Sequence, residues 1–302
     1  MSRAVGRIAV LVCTYRRPAM LAELLASLAA QRTARPFRVV VVDNDPDGSG
    51  RAAAEAAALA VHYVVEPEPG IAAARNRSLD EAADADTIVF VDDDETVEPE
   101  WLEALVRTCE RYDADVVTGP VVSVFPPHTP RWITRGGFLQ RRNLPEGTRL
   151  ESAKSGNTLV RTSALAGPPP LRFDAAFSRS GGSDTELFWR LGRSGSTIVW
   201  SHGAVASEPV PDSRLNARWI ARRDFRGGAA LGRMMLRDSA RPVVLAKGLV
   251  RTAVGAVRFV IGTVVHLGPR ASDTKVMLFG AGLVASTLGV HTDEYRRGPT
   301  KG

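Results

Sequence analysis

The sequence predicts an α/β fold in which a central, mostly parallel sheet is flanked by helices and followed by a helical C-terminal extension. Three features of the 302 residues point to it. Short apolar runs rich in Val and Ile alternate with stretches whose Leu and Ala recur at helical spacing, the pattern of strand and crossover helix in a doubly wound sheet. Polar and acidic residues gather where the apolar runs end, which is where such sheets hold their ligands. Beyond Pro211 the β-branched alternation stops, and the chain reads as helix.

Taken in order, the run IAVLVC (8–13) is continuous and apolar, as in a strand buried on both faces. After Arg17-Pro18, the residues Leu21, Leu24, Leu25 and Leu28 recur at helical spacing, with proline tolerated in the first turn. The alternation continues as strand 37–43, helix 51–60, strand 62–66, helix 71–83 and strand 87–92. The strand ends carry Thr14-Tyr15, Asp43-Asn44, Glu66 and Asp92 to Asp94. A helix over 98–112 and a strand-like VVTGPVVSVF follow, then a Pro-, Gly- and Arg-rich region through Thr148 that predicts irregular structure. A further compact section holds Ser155-Gly156-Asn157, a helical pattern over 184–191 and the strand STIVW (196–200).

Composition narrows the function classes. The formal charge of +6 and pI near 9.8 suit an anionic partner: nucleic acid, a diphosphate or an anionic membrane. The carboxylates cluster in the first 115 residues, whereas the stretch from Arg214 to Arg241 is dominated by arginine. Two cysteines, Cys13 and Cys109, are too few for a disulfide framework or a Cys-based zinc site, and a reducing cytosol is expected. The first residues lack the apolar stretch and cleavage site of a signal peptide.

Asp92-Asp93-Asp94 is the strongest chemical signal. Three adjacent acids repel one another unless a cation or hydroxyl donors compensate, and carboxylates at a strand end are suited to a hard divalent cation beside substrate phosphates. A solvated acidic turn before the next helix is the bland alternative. Asp43 could equally form an Asx turn within DNDPDG. Arg75 could meet either Asp92 or a phosphate.

The order of IAVLVCTYRRP, VVVVDND, EPEPGIAAARN and VFVDDDE resembles the donor half of the inverting family-2 glycosyltransferases of GT-A fold, in particular the non-processive bacterial type that builds surface polysaccharides and glycolipids. The resemblance covers about the first 210 residues. It implies a metal-dependent enzyme using Mn2+ or Mg2+ that moves sugar from a nucleotide diphosphate, a UDP-sugar in this reading, to a saccharide or polyprenyl-linked hydroxyl. Thr14, Tyr15, Asp43, Arg75, Asp92 and Asp93 then fall on the donor side and Asp94 on the metal. The segment Gly181-Gly182-Ser183-Asp184 resembles the family's Gly-Glu-Asp, which makes Asp184 the general base, with Ser183 departing from the usual Glu. Without the resemblance, Asp184 reads as a helix cap. Gly156 and Asn157 look like the sugar and acceptor side, and His202 or Glu208 is a candidate third metal ligand. The same reading divides the chain into a catalytic domain at 1–212, with 1–115 as donor half and 116–212 as acceptor half, and a helical region at 213–302.

Arg218, Arg222 and Arg226 fall at i, i+4 and i+8 on one helix face, which suits a diphosphate clamp or a solvated basic face. In 243–267, Lys247, Arg251 and Arg258 lie within about 40° on a helical wheel, beside Gly248, Gly255 and Gly262 at sevenfold spacing. With the apolar run 276–290, this reads as a helical hairpin for an anionic membrane surface, and hence a cytoplasmic enzyme at the inner face of the cell membrane. Packing on the catalytic domain or on a second copy is the alternative. A dinucleotide-binding oxidoreductase is disfavoured because no Gly-x-Gly-x-x-Gly follows strand one, and a sugar-phosphate nucleotidylyltransferase because no Gly-rich loop does. A nucleic-acid binder explains the basic tail and leaves the acidic strand ends unexplained, so no nucleic acid is expected.

Overall fold

A computed structural model describes residues 3–177 and 182–290. The elements run β1 (Ile8–Thr14), α1 (Pro18–Ala29), β2 (Phe37–Asp43), α2 (Arg51–Glu55), β3 (Val61–Val65), α3 (Ile71–Glu81), β4 (Thr87–Asp92), β5 (Thr96–Val97) and α4 (Trp101–Arg111). They continue as β6 (Val116–Thr118), β7 (Val121–Val124), α5 (Arg131–Arg135), β8 (Arg149–Leu150), β9 (Thr158–Arg161), α6 (Thr162–Leu165), α7 (Ser183–Arg193), β10 (Ile198–Trp200) and β11 (Ala206–Pro209). The helices α8 (Ala217–Asp238), α9 (Arg241–Val265) and α10 (Ala271–Thr287) close the order.

Eight strands form the main sheet in the order β3-β2-β1-β4-β9-β6-β10-β8. The four N-terminal strands are mutually parallel, as the strand and crossover pattern predicts. β9 runs antiparallel between β4 and β6, a reversal that periodicity alone does not reveal. Successive residues of a strand point to opposite faces, so the apolar runs fill two cores. Val10, Val12, Val39 and Val41 pack with the leucines of α1 and with Trp101 and Leu105 of α4. Leu11, Val40, Val42 and Phe90 face the alanines of α3 and Leu187 and Phe188 of α7. Each fully buried Leu or Phe contributes about 1.5–3 kcal/mol.

Several bounds differ from the sequence expectation for physical reasons. Helix α2 stops at Glu55, well short of residue 60, because Ala54 is its one buried residue and alanine propensity alone does not sustain a short helix. VVTGPVVSVF breaks into β6 and β7 at Gly119-Pro120: a Cβ on Gly119 would fall 2.2 Å from the Ala204 carbonyl, and proline has no N–H for the ladder. The Pro/Gly/Arg-rich region, expected to be irregular, contains the one-turn helix α5.

The chain divides into two compact units, the first comprising residues 3–122, 141–177 and 183–208 and holding the main sheet. The second comprises 123–140, 182 and 209–290. Segment 123–140, expected within the catalytic domain, belongs to this second unit. There Ile133 and Phe138 bury against Ile220, and the Ala271 N–H donates to the Gly136 carbonyl at 2.8 Å.

Within the second unit, α10 packs against both α8 and α9. The contacts are backbone-close: a Cβ on Gly228 would lie 2.1 Å from the Phe279 carbonyl oxygen, and one on Gly255 2.3 Å from the Met277 nitrogen. The sevenfold glycines of α9 therefore serve a helix neighbour, with Gly248 against Val284 and Gly262 against Asp273. Among the described residues, α9 is the one helix long and apolar enough to cross a membrane by length and composition.

Candidate active site

Sheet register assembles the site. In the ladders of β1, Thr14 stands beside Asp43 and Cys13 beside Asp92, so the carboxyl ends of β1, β2 and β4 bring their polar residues into one row. Asp43 is buried, and its carboxylate accepts hydrogen bonds from the Asp45 N–H at 2.9 Å, the Gly50 N–H at 2.7 Å and the Tyr63 hydroxyl at 2.7 Å. The first of these is the Asx turn that the sequence left open, and the set fixes the 43–50 loop. Asn44 donates to the carbonyls of Glu66 and Glu68 and accepts from the Gly70 N–H, which anchors the start of α3. Asp45 was not anticipated. It is 2 % exposed, pairs with Arg16 at 3.2 Å and keeps an unpartnered buried Oδ1 at the same strand end. Burial works against its charge, but hydrogen bonds from Arg16 and Ser49 overcome that and hold its pKa below the usual value. Tyr15 is half-buried with the Arg16 guanidinium over its ring at 5.2 Å.

The three aspartates differ. Asp93 turns inward: the Thr14 hydroxyl donates to it at 2.8 Å and Arg17 at 3.1 Å. Burial pushes its carboxyl up to about 6, with Arg17 and the Thr14 hydrogen bond opposing. Thr14 thus acts by holding Asp93. Arg17 also reaches Asp94 at 3.1 Å, bridging the two carboxylates. Asp92 keeps 41 % of its side chain exposed. Desolvation raises its pKa, Arg75 lowers it, and Asp94 and Asp184 raise it again.

Glu95, which the sequence reading passed over, is 1 % exposed with its Oε1 unpartnered. Burial and the Asp92 charge hold its carboxyl well above the usual range. A Cβ on Gly156 would sit 2.9 Å from both Asp92 Oδ2 and Glu95 Oε1, so a glycine is what leaves these two carboxylates their space. Arg141 was also missed. It lies in the Arg-rich region, pairs with buried Glu208, and is raised by the charges of Glu208, Glu95 and Asp92 against the effect of burial.

Arg75 reaches Asp92 at 3.7 Å, donates to the Ser183 hydroxyl at 3.3 Å and lies over the Phe173 ring at 5.4 Å. Asp92 is one of its two expected partners. It thereby links the carboxylates to the first turn of α7, where Asp184 follows Ser183; Gly181 lies outside the described residues. Asn157, expected on the sugar and acceptor side, uses its side chain internally. Its Oδ1 accepts from Trp101 Nε1 at 2.7 Å, and its Nδ2 donates to the carbonyls of Pro120 and Ala204 at 2.8 and 2.7 Å. Gly156 beside it faces the carboxylates.

His202 is exposed and hydrogen-bonded to the Leu144 carbonyl, and Glu208 is tied to Arg141. Arg218, Arg222 and Arg226 stand on α8, in the second unit; the site built here belongs to the first unit alone.

Among the described residues, no three His, Cys, Asp or Glu side chains converge to hold a metal by themselves. A hard cation bound with a diphosphate takes one or two carboxylates and completes its shell from phosphate oxygens and water. Asp94 beside Asp92, with the orphaned Glu95 oxygen in the same cradle, offers the oxygen donors that Mg2+ or Mn2+ prefer. The residues fit a shared ion and do not form a protein cage.

The Glycosyl transferase family 2 model matches residues 9–167. Succinoglycan biosynthesis protein ExoM of Rhizobium meliloti (strain 1021) is 38% identical over 230 residues, 74% of this chain and 74% of that protein. Glucosyl-dolichyl phosphate glucuronosyltransferase of Haloferax volcanii is 33% identical over 135 residues, 43% of this chain and 40% of its own. Among solved structures, S. aureus TarS 1–349 in complex with UDP aligns with a TM-score of 0.54 at 19% identity, covering 94% of this chain and 92% of that one. Mannosyltransferase PcManGT from Pyrobaculum calidifontis, in complex with GDP-Man and Mn2+, aligns with a TM-score of 0.61 at 18% identity, covering 93% and 87%. Identities that low show the fold, which is GT-A. The row of strand-end carboxylates, the matched family over more than half the chain and the relative at 38% identity agree: this chain is a glycosyltransferase of family 2.

Proposed function

We propose that the enzyme transfers a sugar with inversion from a UDP-sugar to a hydroxyl of a saccharide or polyprenyl-linked acceptor in cell-surface polysaccharide or glycolipid biosynthesis, in the cytoplasm at the inner face of the membrane. The observation that carries it is the cluster at the end of β4. Asp92 Oδ2 and the unpartnered Glu95 Oε1 converge over Gly156, with Arg75 3.7 Å from Asp92 and Arg17 bridging Asp93 and Asp94, an oxygen-rich strand end suited to a cation that arrives with a diphosphate. The likeness to ExoM, named for succinoglycan biosynthesis, supports a polysaccharide role, and the UDP in TarS supports the donor class.

In this reading Asp94 would hold Mn2+ or Mg2+, and the ion, when bound, would supply charge neutralisation for the leaving diphosphate. Asp92 and the strand-end loops around Tyr15 and Asp45 orient the donor. Thr14 and Arg17 keep Asp93 turned inward, so that Asp92 and Asp94 present to the donor. Asp184 takes the proton from the acceptor hydroxyl as its oxygen attacks the anomeric carbon and the bond to the diphosphate breaks. Arg75, bonded to Ser183, fixes the first turn of α7 that carries Asp184.

The test is release of nucleoside diphosphate from a panel of nucleotide sugars with a polyprenyl-diphosphate-linked acceptor. Asp94→Ala is expected to abolish release, and Asp184→Asn to lower kcat by roughly 10²–10⁴-fold. Full activity in EDTA would overturn the metal role, and an unimpaired Asp184→Asn the base assignment.

A further inference from the structure

We propose that the outward face of α9 docks on an anionic lipid bilayer, with the helix lying in the plane of the headgroup boundary. This deepens the membrane placement proposed above, and it stands on the geometry of α9 alone. Going around the helix at 100° per residue, three bands follow one another. Gly248, Gly255 and Gly262 are buried against α10. Lys247, Arg251 and Arg258 form the next band, within about 40°. Val250, Val254, Val257, Val260, Ile261 and Val264 then span an arc of about 120°, each 49% to 72% exposed. Leu267, just past the helix, is 97% exposed. A contiguous row of large apolar side chains of this length goes well beyond the scattered exposed residues of an ordinary surface.

Three features select the occupant. First, α9 contains no Asp or Glu, and although Arg258 is paired with Asp273, Lys247 and Arg251 leave the margin of the apolar face cationic, which complements anionic headgroups. A second copy placed face to face would set like charges against each other, because a two-fold contact pairs the same patch with itself. Second, Lys247 and Arg258 are about 16 Å apart along the axis. In a spanning helix that interval would carry charges into a hydrocarbon core about 30 Å thick, whereas in the plane all three cations share one depth. Third, the glycine face is already committed to α10, where Asp273 pairs with Arg258 at 3.0 Å. Insertion across the bilayer would drag that helix, with its buried Asp273, into lipid.

The test is vesicle flotation of the full-length protein in the absence of donor, so its outcome is independent of glycosyl transfer. With phosphatidylcholine/phosphatidylglycerol vesicles the wild type is expected to float. Val257→Asp with Ile261→Asp is expected to lower apparent affinity about tenfold or more. Lys247→Gln with Arg251→Gln should lose roughly tenfold on these vesicles and little on pure phosphatidylcholine. Both pairs change exposed side chains, so unchanged circular dichroism and gel filtration certify the fold. A nitroxide at Val257→Cys should report a shallow depth, near the headgroup boundary. Equal flotation of the Asp variant, absence of flotation by the wild type, resistance to alkaline carbonate extraction, or a dimer abolished by the Asp pair without vesicle affinity would each overturn the proposal.

Discussion

The side chain of Asn157 ties three segments together, through Trp101 on α4 and the carbonyls of Pro120 and Ala204. All of these atoms are buried, so truncation orphans a donor and two acceptors at once. Asn157→Ala is expected to lower the unfolding free energy by about 3 kcal/mol, read from denaturant midpoints at constant m-value. The two thiols give a second test at this scale. Burial pushes Cys13 up to about 12 and Cys109 up to about 11. A raised pKa favours the protonated form, so any stability contribution from these groups is complete at neutral pH and is lost as pH rises through the folded value. Thiolate is the reactive species. Native protein at pH 8 is therefore expected to react with a chromogenic disulfide reagent far more slowly than protein in guanidinium, where both thiols return to ordinary values. Fast native labelling of Cys109 would contradict its burial, and that of half-buried Cys13 its raised pKa.

At the scale of elements, most of the catalytic unit is legible in the sequence because its signals are local. IAVLVC and FRVVVVD are short runs rich in β-branched residues, the mark of buried strands, and the α1 leucines fall on one face. What escapes is what depends on the path of the chain. The reversal of β9 is not written in TLVR, and the split of β6 from β7 depends on the approach of Ala204 to Gly119. Glu95 reads as an ordinary acid until the turn after β4 buries it, and Asp43 closes an Asx turn that its spacing to Asp45 allowed but did not require. Arg141 is the plainest case, since it comes from a run without periodicity and its partner Glu208 lies 67 residues further on. That pairing predicts a measurable cost. Glu208 is buried while Arg141 is open to solvent, and Arg141→Met removes a charged hydrogen bond from the Glu208 carboxylate, so it is expected to lose about 1–3 kcal/mol in chemical denaturation. Adding Glu208→Gln should recover part of the loss, and an additive double variant would count against coupling.

Over the whole molecule, charge and chain path tell different stories. The sequence places carboxylates early and arginines late, which suggests a catalytic half followed by an appended tail. The path does not respect that order: the chain leaves the first unit at residue 123, returns at 141, places Gly182 in the second unit, and leaves finally after 208. Segment 123–140 therefore depends on partners that come much later. Ile133 is 0% exposed and Phe138 3%, and both pack with Ile220 of α8. A truncation at 208, close to the boundary at 212 that a linear reading gives the catalytic domain, would strip that cover from the segment. Each of these side chains loses about 1.5–3 kcal/mol of burial when uncovered. The expected product is a protein that aggregates and binds an apolar fluorescent dye, even though every residue of the carboxylate cluster is retained. Ile133→Ser with Phe138→Ser in the truncated chain should restore solubility and suppress dye binding, because the exposed apolar surface is then removed at its source. A 1–208 fragment that is soluble and dye-silent without those changes would show that segment 123–140 finds cover inside the first unit.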